Sequence, residues 1–236
     1  MPTSAPTVPG MTVVRMKDVC LDARDVERVG RFWGEALGLD WWVHTRPGVV
    51  GVGPRGRPVL WINQVDHDKV VKDRVHPDLH VADVDRLLAL GATVRSEQDG
   101  FTVLADPEGH EMCAFPAPEG AAPDGPPAAV FAWCTDSDRP TEIAAWWAER
   151  TGATIGPGPD GTARYLHDVP GLGGLIWKFV PVTDERVVEN RVHWDVAGDA
   201  DALEAAGATV VRRPDGDIHW TIMRDPDANV FCCMAP

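Results

Sequence analysis

Three short runs set ionisable side chains two residues apart: Asp18-Val19-Cys20-Leu21-Asp22, His76-Pro77-Asp78-Leu79-His80 and His193-Trp194-Asp195. In an extended strand, residues i, i+2 and i+4 share one face. Asp18, Cys20 and Asp22 therefore fall together, as do His76, Asp78 and His80, and His193 with Asp195. An imidazole beside a carboxylate suits proton transfer, because the carboxylate orients the ring and stabilises its charged form. The cysteines add thiols. Asp18, His193 and Cys232 together offer three of the ligand types that zinc accepts. A blander account stands beside this one: a buried His–Asp hydrogen bond explains His76/Asp78 and His193/Asp195 without an ion.

The elements that carry these residues occur twice. Cys20-Leu21-Asp22, then Phe32-Trp33, recur as Cys134-Thr135-Asp136, then Trp146-Trp147. Trp61 matches Trp177, Arg74-Val75-His76 matches Arg191-Val192-His193, and Asp106-Pro107 with Cys113 matches Asp225-Pro226 with Cys232. The offset drifts only from 114 to 119, which marks two copies of one unit. The reading is a leader at 1–10, a first domain at 11–116, a Pro/Gly/Ala linker at 117–127 and a second domain at 128–236. Within the first copy, strands are expected at 13–21, 41–43, 49–52, 59–65, 76–81, 93–95, 101–105 and 111–115. Helices are expected at 25–37 and 84–90, ended by Gly38 and Gly91. This is β-α-β-β-β, twice per copy, an α+β architecture with curved mixed sheets.

The formal charge is −14, from 22 basic and 36 acidic residues. A nucleic-acid partner is excluded, since phosphate binding needs a basic face. No apolar run is long enough to span a bilayer. Five cysteines without a CxxC motif point to reduced thiols in the cytoplasm. Ten tryptophans stand against one tyrosine. Trp33, Trp146 and Trp147 read as core on helix faces, whereas Trp61, Trp177 and Trp220 lie on strands and are expected to wall a pocket, as is Trp194 if the Pro77 position faces inward.

Three motifs recur in order: the Phe32-Trp33 helix ending at Leu37-Gly38, the segments 73–78 and 190–195, and the turns Asp106-Pro107-Glu108-Gly109-His110 and Asp225-Pro226-Asp227-Ala228-Asn229. On these the chain resembles the glyoxalase/bleomycin-resistance family of the vicinal oxygen chelate superfamily. The resemblance implies paired modules around a pocket, and a tandem chain similar to a covalent pseudo-dimer, either monomeric or a homodimer. For metal-dependent members it implies a first-strand His, a fifth-strand His and a terminal Glu. Here His76 and His193 are present, but the first-strand positions are Asp18 and Ala132, and the terminal ones Cys113 and Cys232. The position near Asn63 or Gln64 becomes Lys178 or Phe179. No cofactor is therefore expected, and a divalent metal, if bound, is expected on Asp18, His193 and Cys232.

Two pairings are open. If modules pair between copies, one pocket takes Asp18, Cys20, His193, Asp195 and Cys232, and the other takes Cys134, His76, Asp78, His80 and Cys113. If they pair within a copy, Asp18 meets His76 and Cys113. The first pocket holds two carboxylates around one imidazole and is expected to be the working one. The remaining positions have plain readings: solvent for Glu111, turn chemistry for His110, burial for Cys232 and Cys233. Two functions follow. One is a pocket for a small aromatic or oxygenated ligand, needing no metal. The other is a lyase, isomerase, hydrolase or dioxygenase whose base is His193 with Asp195 or His76 with Asp78, with or without an ion.

Overall fold

The computed structural model describes residues 14–236 apart from 55, 56, 58, 121 and 123; the expected leader lies outside the described residues. The first repeat supplies β1 (Val14–Ala23), α1 (Val26–Leu37), β2 (Trp41–Val43), β3 (Val49–Val52) and β4 (Leu60–Gln64). Then come β5 (Val75–Val81), α2 (Val84–Ala89), β6 (Thr93–Gln98), β7 (Phe101–Ala105) and β8 (Glu111–Pro116). The second supplies β9 (Ala128–Ser137), α3 (Pro140–Thr151), β10 (Thr154–Pro157), β11 (Ala163–His167) and β12 (Ile176–Pro181). It ends with β13 (Val192–Gly198), α4 (Ala200–Ala205), β14 (Thr209–Arg212), β15 (Thr221–Arg224) and β16 (Val230–Met234).

Local chemistry accounts for the element ends. Asp25 caps α1 by accepting from the Arg28 backbone N–H at 3.1 Å, and Gly38 closes it in the left-handed conformation at φ 64°. Gly152 ends α3 in the same way at φ 75°.

Among the described residues, sixteen strands form two eight-stranded mixed sheets, and each draws one module from each repeat. The first runs β14-β15-β16-β13-β1-β4-β3-β2, and the second β10-β11-β12-β9-β5-β8-β7-β6. At both centres two strands from different repeats pair antiparallel, β1 with β13 and β9 with β5. Modules therefore pair between copies. The eight-stranded sheet is a unit of the whole chain, and neither repeat forms one alone.

One face of each sheet joins the common core. Trp147, Trp177, Trp194 and Phe231 meet there, with ring centroids of Trp177 5.0 Å from both Trp147 and Trp194. The core also explains why the helix and turn motifs travel together. Trp33 donates its indole N–H to Asp106 at 3.1 Å, and Trp147 donates its own to Asp225 at 3.0 Å. Each helix is thus tied to the Asp-Pro turn of its repeat. Burial pushes the Asp225 carboxyl up to about 6, so this donor matters to it. Replacing Trp147 with phenylalanine should cost about 1–3 kcal/mol in urea unfolding, the usual cost of leaving a buried acceptor short of a donor.

A one-residue difference separates the repeats at β4 and β12. Cys20 pairs with Trp61, whereas Cys134 pairs with Lys178. The expected match of Trp61 to Trp177 is corrected by this register. Because side chains alternate, one residue exchanges the faces. Trp61 looks into a pocket, and Trp177, 1% exposed, donates to Thr135 inside the core. Trp194 is core as well, at 2% exposure.

Candidate functional site

The face of the first sheet opposite the core carries Cys20 from β1, Trp61 and Asn63 from β4, His193 and Asp195 from β13, and Cys232 from β16. They line a pocket of about 210 Å³, closed at its rim by Lys17, His44, Arg46 and Trp220. Strand register sets this group. Cys20 sits opposite His193, and Asp195 beside Cys232. A bulge between Met16 and Asp18 breaks the alternation, so that Lys17 reaches the pocket while Met16 stays in the core.

Asp18 stands on this face but is engaged. It accepts from Lys17 and, at 3.2 Å, from the Trp61 indole. Among Cys20, His193 and Asp195, by contrast, the ligand-capable atoms lie within 4.8 Å of one another. His193 Nε2 is 4.0 Å from Asp195 Oδ1, too far for the hydrogen bond expected from their spacing. Same-face residues on a strand are close enough to share a site, but here the ring and the carboxylate stop short of bonding distance. Asp195 Oδ1 is buried with no hydrogen-bond partner among the described residues; only the thiols of Cys20 and Cys232, weak donors, flank that carboxylate. Trp220 Nε1 is buried too, with only the Cys232 sulfur nearby.

Burial dominates the electrostatics. It drives His193 down to about 4 and lifts Asp195 to about 6, the latter opposed by Cys20 and Lys17. The Cys20 and Cys232 thiols are pushed well up by burial and by the nearby Asp195 charge. At neutral pH the pocket thus holds a neutral imidazole, an ionised carboxylate and two protonated thiols.

The second sheet has the same scaffold with different content. His76, Asp78 and Cys134 again bring ligand-capable atoms within 4.8 Å of one another. Here Lys178 Nζ sits 2.7 Å from Asp78, with the rings of Phe131, Phe115 and Tyr165 around the ammonium at 4.5, 5.6 and 5.6 Å. Asp78 is paired with this lysine, which corrects the expected His76–Asp78 bond. His80 stacks on Phe131 at 4.1 Å, and burial lifts the Cys113 thiol to about 12. The two sites exchange roles at two matched positions. The bulge residue is Lys17 in one sheet and Phe131 in the other, and the partner of the central cysteine is Trp61 or Lys178.

A family model described as a glyoxalase-like domain matches residues 18–115 and again 132–234. The chain belongs to the glyoxalase-like domain family. This places it in the vicinal oxygen chelate superfamily. No curated protein sequence matches it. Among solved structures, glyoxalase I from Zea mays is 15% identical with a TM-score of 0.60, over 94% of this chain and 92% of that one. The cppA protein from Streptococcus pneumoniae TIGR4 is 12% identical with a TM-score of 0.51, over 94% and 99%. At these identities the likeness concerns the fold.

The donor set decides what metal this glyoxalase-like protein could hold. Cys20, His193 and Asp195 fit a thiolate-tolerant ion such as zinc, since their ligand-capable atoms converge and Asp195 Oδ1 is buried without a partner among the described residues. The expected set of Asp18, His193 and Cys232 is corrected in two members, since Asp18 is occupied and Cys20 and Asp195 converge instead. The second sheet does not fit an ion, because Lys178 already neutralises Asp78. Sequence reasoning missed Lys17, His44 and Arg46. The signal for the last two was the sequence between β2 and β3, His44-Thr45-Arg46-Pro47-Gly48, which has no basic counterpart in the second repeat.

Proposed function

We propose that the pocket of the first sheet binds a small, flat, oxygenated organic molecule, with Trp61 and Trp220 as walls and His193 and Asp195 as orienting groups. The observation that carries this is the pair of buried, unsatisfied polar atoms, Asp195 Oδ1 and Trp220 Nε1. One accepts and the other donates. A ligand bearing a hydroxyl and a second oxygen would satisfy both, and buried polar groups without partners are costly to keep. His193 adds a neutral imidazole. Its lowered basicity makes it a weak proton acceptor at neutral pH, so it serves better as a hydrogen-bonding group than as a base. Reduced cysteines suit a cytoplasmic setting, and among the described residues no helix is long and apolar enough to cross a membrane.

A second reading, catalysis, is favoured by the convergence of Cys20, His193 and Asp195. An ion held there would polarise a substrate oxygen as a Lewis acid. In that case Asp195 would serve as a ligand of the ion, with Cys20 and His193, rather than as a free base. Titrating chelator-treated protein with catechol, followed by tryptophan fluorescence, separates the readings. Saturable quenching that zinc leaves unchanged supports simple binding. Quenching that appears only after one equivalent of zinc supports the second reading.

The pocket also predicts a pH profile. Asp195 accepts more strongly from a ligand hydroxyl when ionised, so affinity for catechol should rise with pH through a midpoint near 6. His193 titrates near 4 and adds nothing above pH 5. Asp195→Asn should flatten the profile between pH 5 and 7, measured by the same titration.

A further inference from the structure

A second cavity, of about 290 Å³, lies on the core side of the sheets, where α1 meets β9. Its walls are almost wholly apolar and include Leu21, Trp33, Leu60, Val130 and Trp133. Leu21 and Leu60 neighbour Cys20 and Trp61 in sequence, so they point to the opposite face from the pocket described above. The two cavities are therefore separate.

One buried polar side chain breaks the apolar lining. His110, 1% exposed, borders this cavity. Its Nδ1 lies 2.8 Å from Asp73 Oδ2, while its Nε2 is buried without a hydrogen-bond partner among the described residues. Turn chemistry alone, the expectation for this residue, does not account for that. At the matching turn of the second repeat Asn229 is fully engaged, accepting from Arg186 at 2.7 Å and Asn190 at 3.0 Å and donating to Asp225. The one other ionisable group on the wall, Glu111, is taken by Lys69 and by the Asp73 backbone N–H, each at 3.0 Å. His110 Nε2 is thus a buried hydrogen-bonding atom of the wall without a partner among the described residues, on a ring that Asp73 orients from the other side.

We infer that this cavity is a binding site for a small apolar molecule carrying a single hydroxyl group, such as a phenol or a medium-chain alcohol. An apolar cavity of roughly 150 Å³ already holds a benzene ring. A hydroxyl both donates and accepts, so it pairs with Nε2 whichever protonation state Asp73 imposes on the ring. The rest of the ligand gains by leaving water for the Leu, Val and Trp walls.

The test is calorimetric titration of the full chain with phenol and with benzene, alongside amide shift mapping. Phenol should bind saturably and move the Ala128 and Val130 amides. Val130→Trp fills the cavity and should abolish binding. Leu39→Trp, on the partly exposed wall of the cavity, is the second blocking variant should the first disturb folding. His110→Asn, the residue the other repeat uses at this turn, should weaken phenol about tenfold, the worth of one hydrogen bond, and leave benzene unchanged. The titrations are made in a His193→Ala background, so that phenol held in the other pocket does not enter the reading. Absence of phenol binding, or binding that survives both blocking variants, would falsify the site. Equal weakening of phenol and benzene by His110→Asn would overturn the role given to Nε2.

Discussion

Replacing Lys178 with methionine should destabilise the protein by about 3–5 kcal/mol, the usual result of removing one partner from a buried ion pair. The lysine is only 12% exposed and Asp78 only 5%, so the carboxylate left behind has no ready access to water. The three surrounding rings cannot solvate it, since an aromatic face attracts cations and repels anions. The double variant Lys178→Met/Asp78→Leu should recover most of the loss, because it removes both charges and keeps the volume. Urea unfolding of the three proteins checks this. A loss below 1 kcal/mol in the single variant would show that the ammonium is not what neutralises this site.

His193→Ala should weaken catechol binding by roughly ten- to a hundredfold, the range of one to two hydrogen bonds, whereas His76→Ala should leave it within about twofold. The asymmetry follows from the filling of the two sheets. His193 lines an open pocket beside an unpaired carboxylate oxygen. His76 stands between two carboxylates that are each already paired, Asp78 with Lys178 and Asp136 with Lys72. If His76→Ala abolished binding and His193→Ala left it intact, the working site would be the other one. Both side chains lie on the sheet faces opposite the core cluster, and neither belongs to it.

Much of this was legible in the residues themselves, because the signals are local. Alternation along 18–22, 76–80 and 193–195 is a property of the extended chain, and it correctly set which side chains share a face. Gly38 ended its helix because few residues other than glycine turn left-handed without strain. The repeat announced two related but inequivalent sites before any pairing was known. Three things were decided only in three dimensions. Pairing of β1 with β13 joins residues far apart in sequence, and backbone hydrogen bonds form equally well within a repeat or between repeats, so no local pattern distinguishes them. The faces of Trp61 and Trp177 depended on a one-residue register, since a period of two turns a slip of one into exchange of core and pocket. The partners of the buried charges depended on reach across the sheet. Asp78 met Lys178 rather than its own neighbour His76, and His110 met Asp73 across two turns, because a buried charge settles with whichever opposite group the packed structure brings within hydrogen-bonding distance.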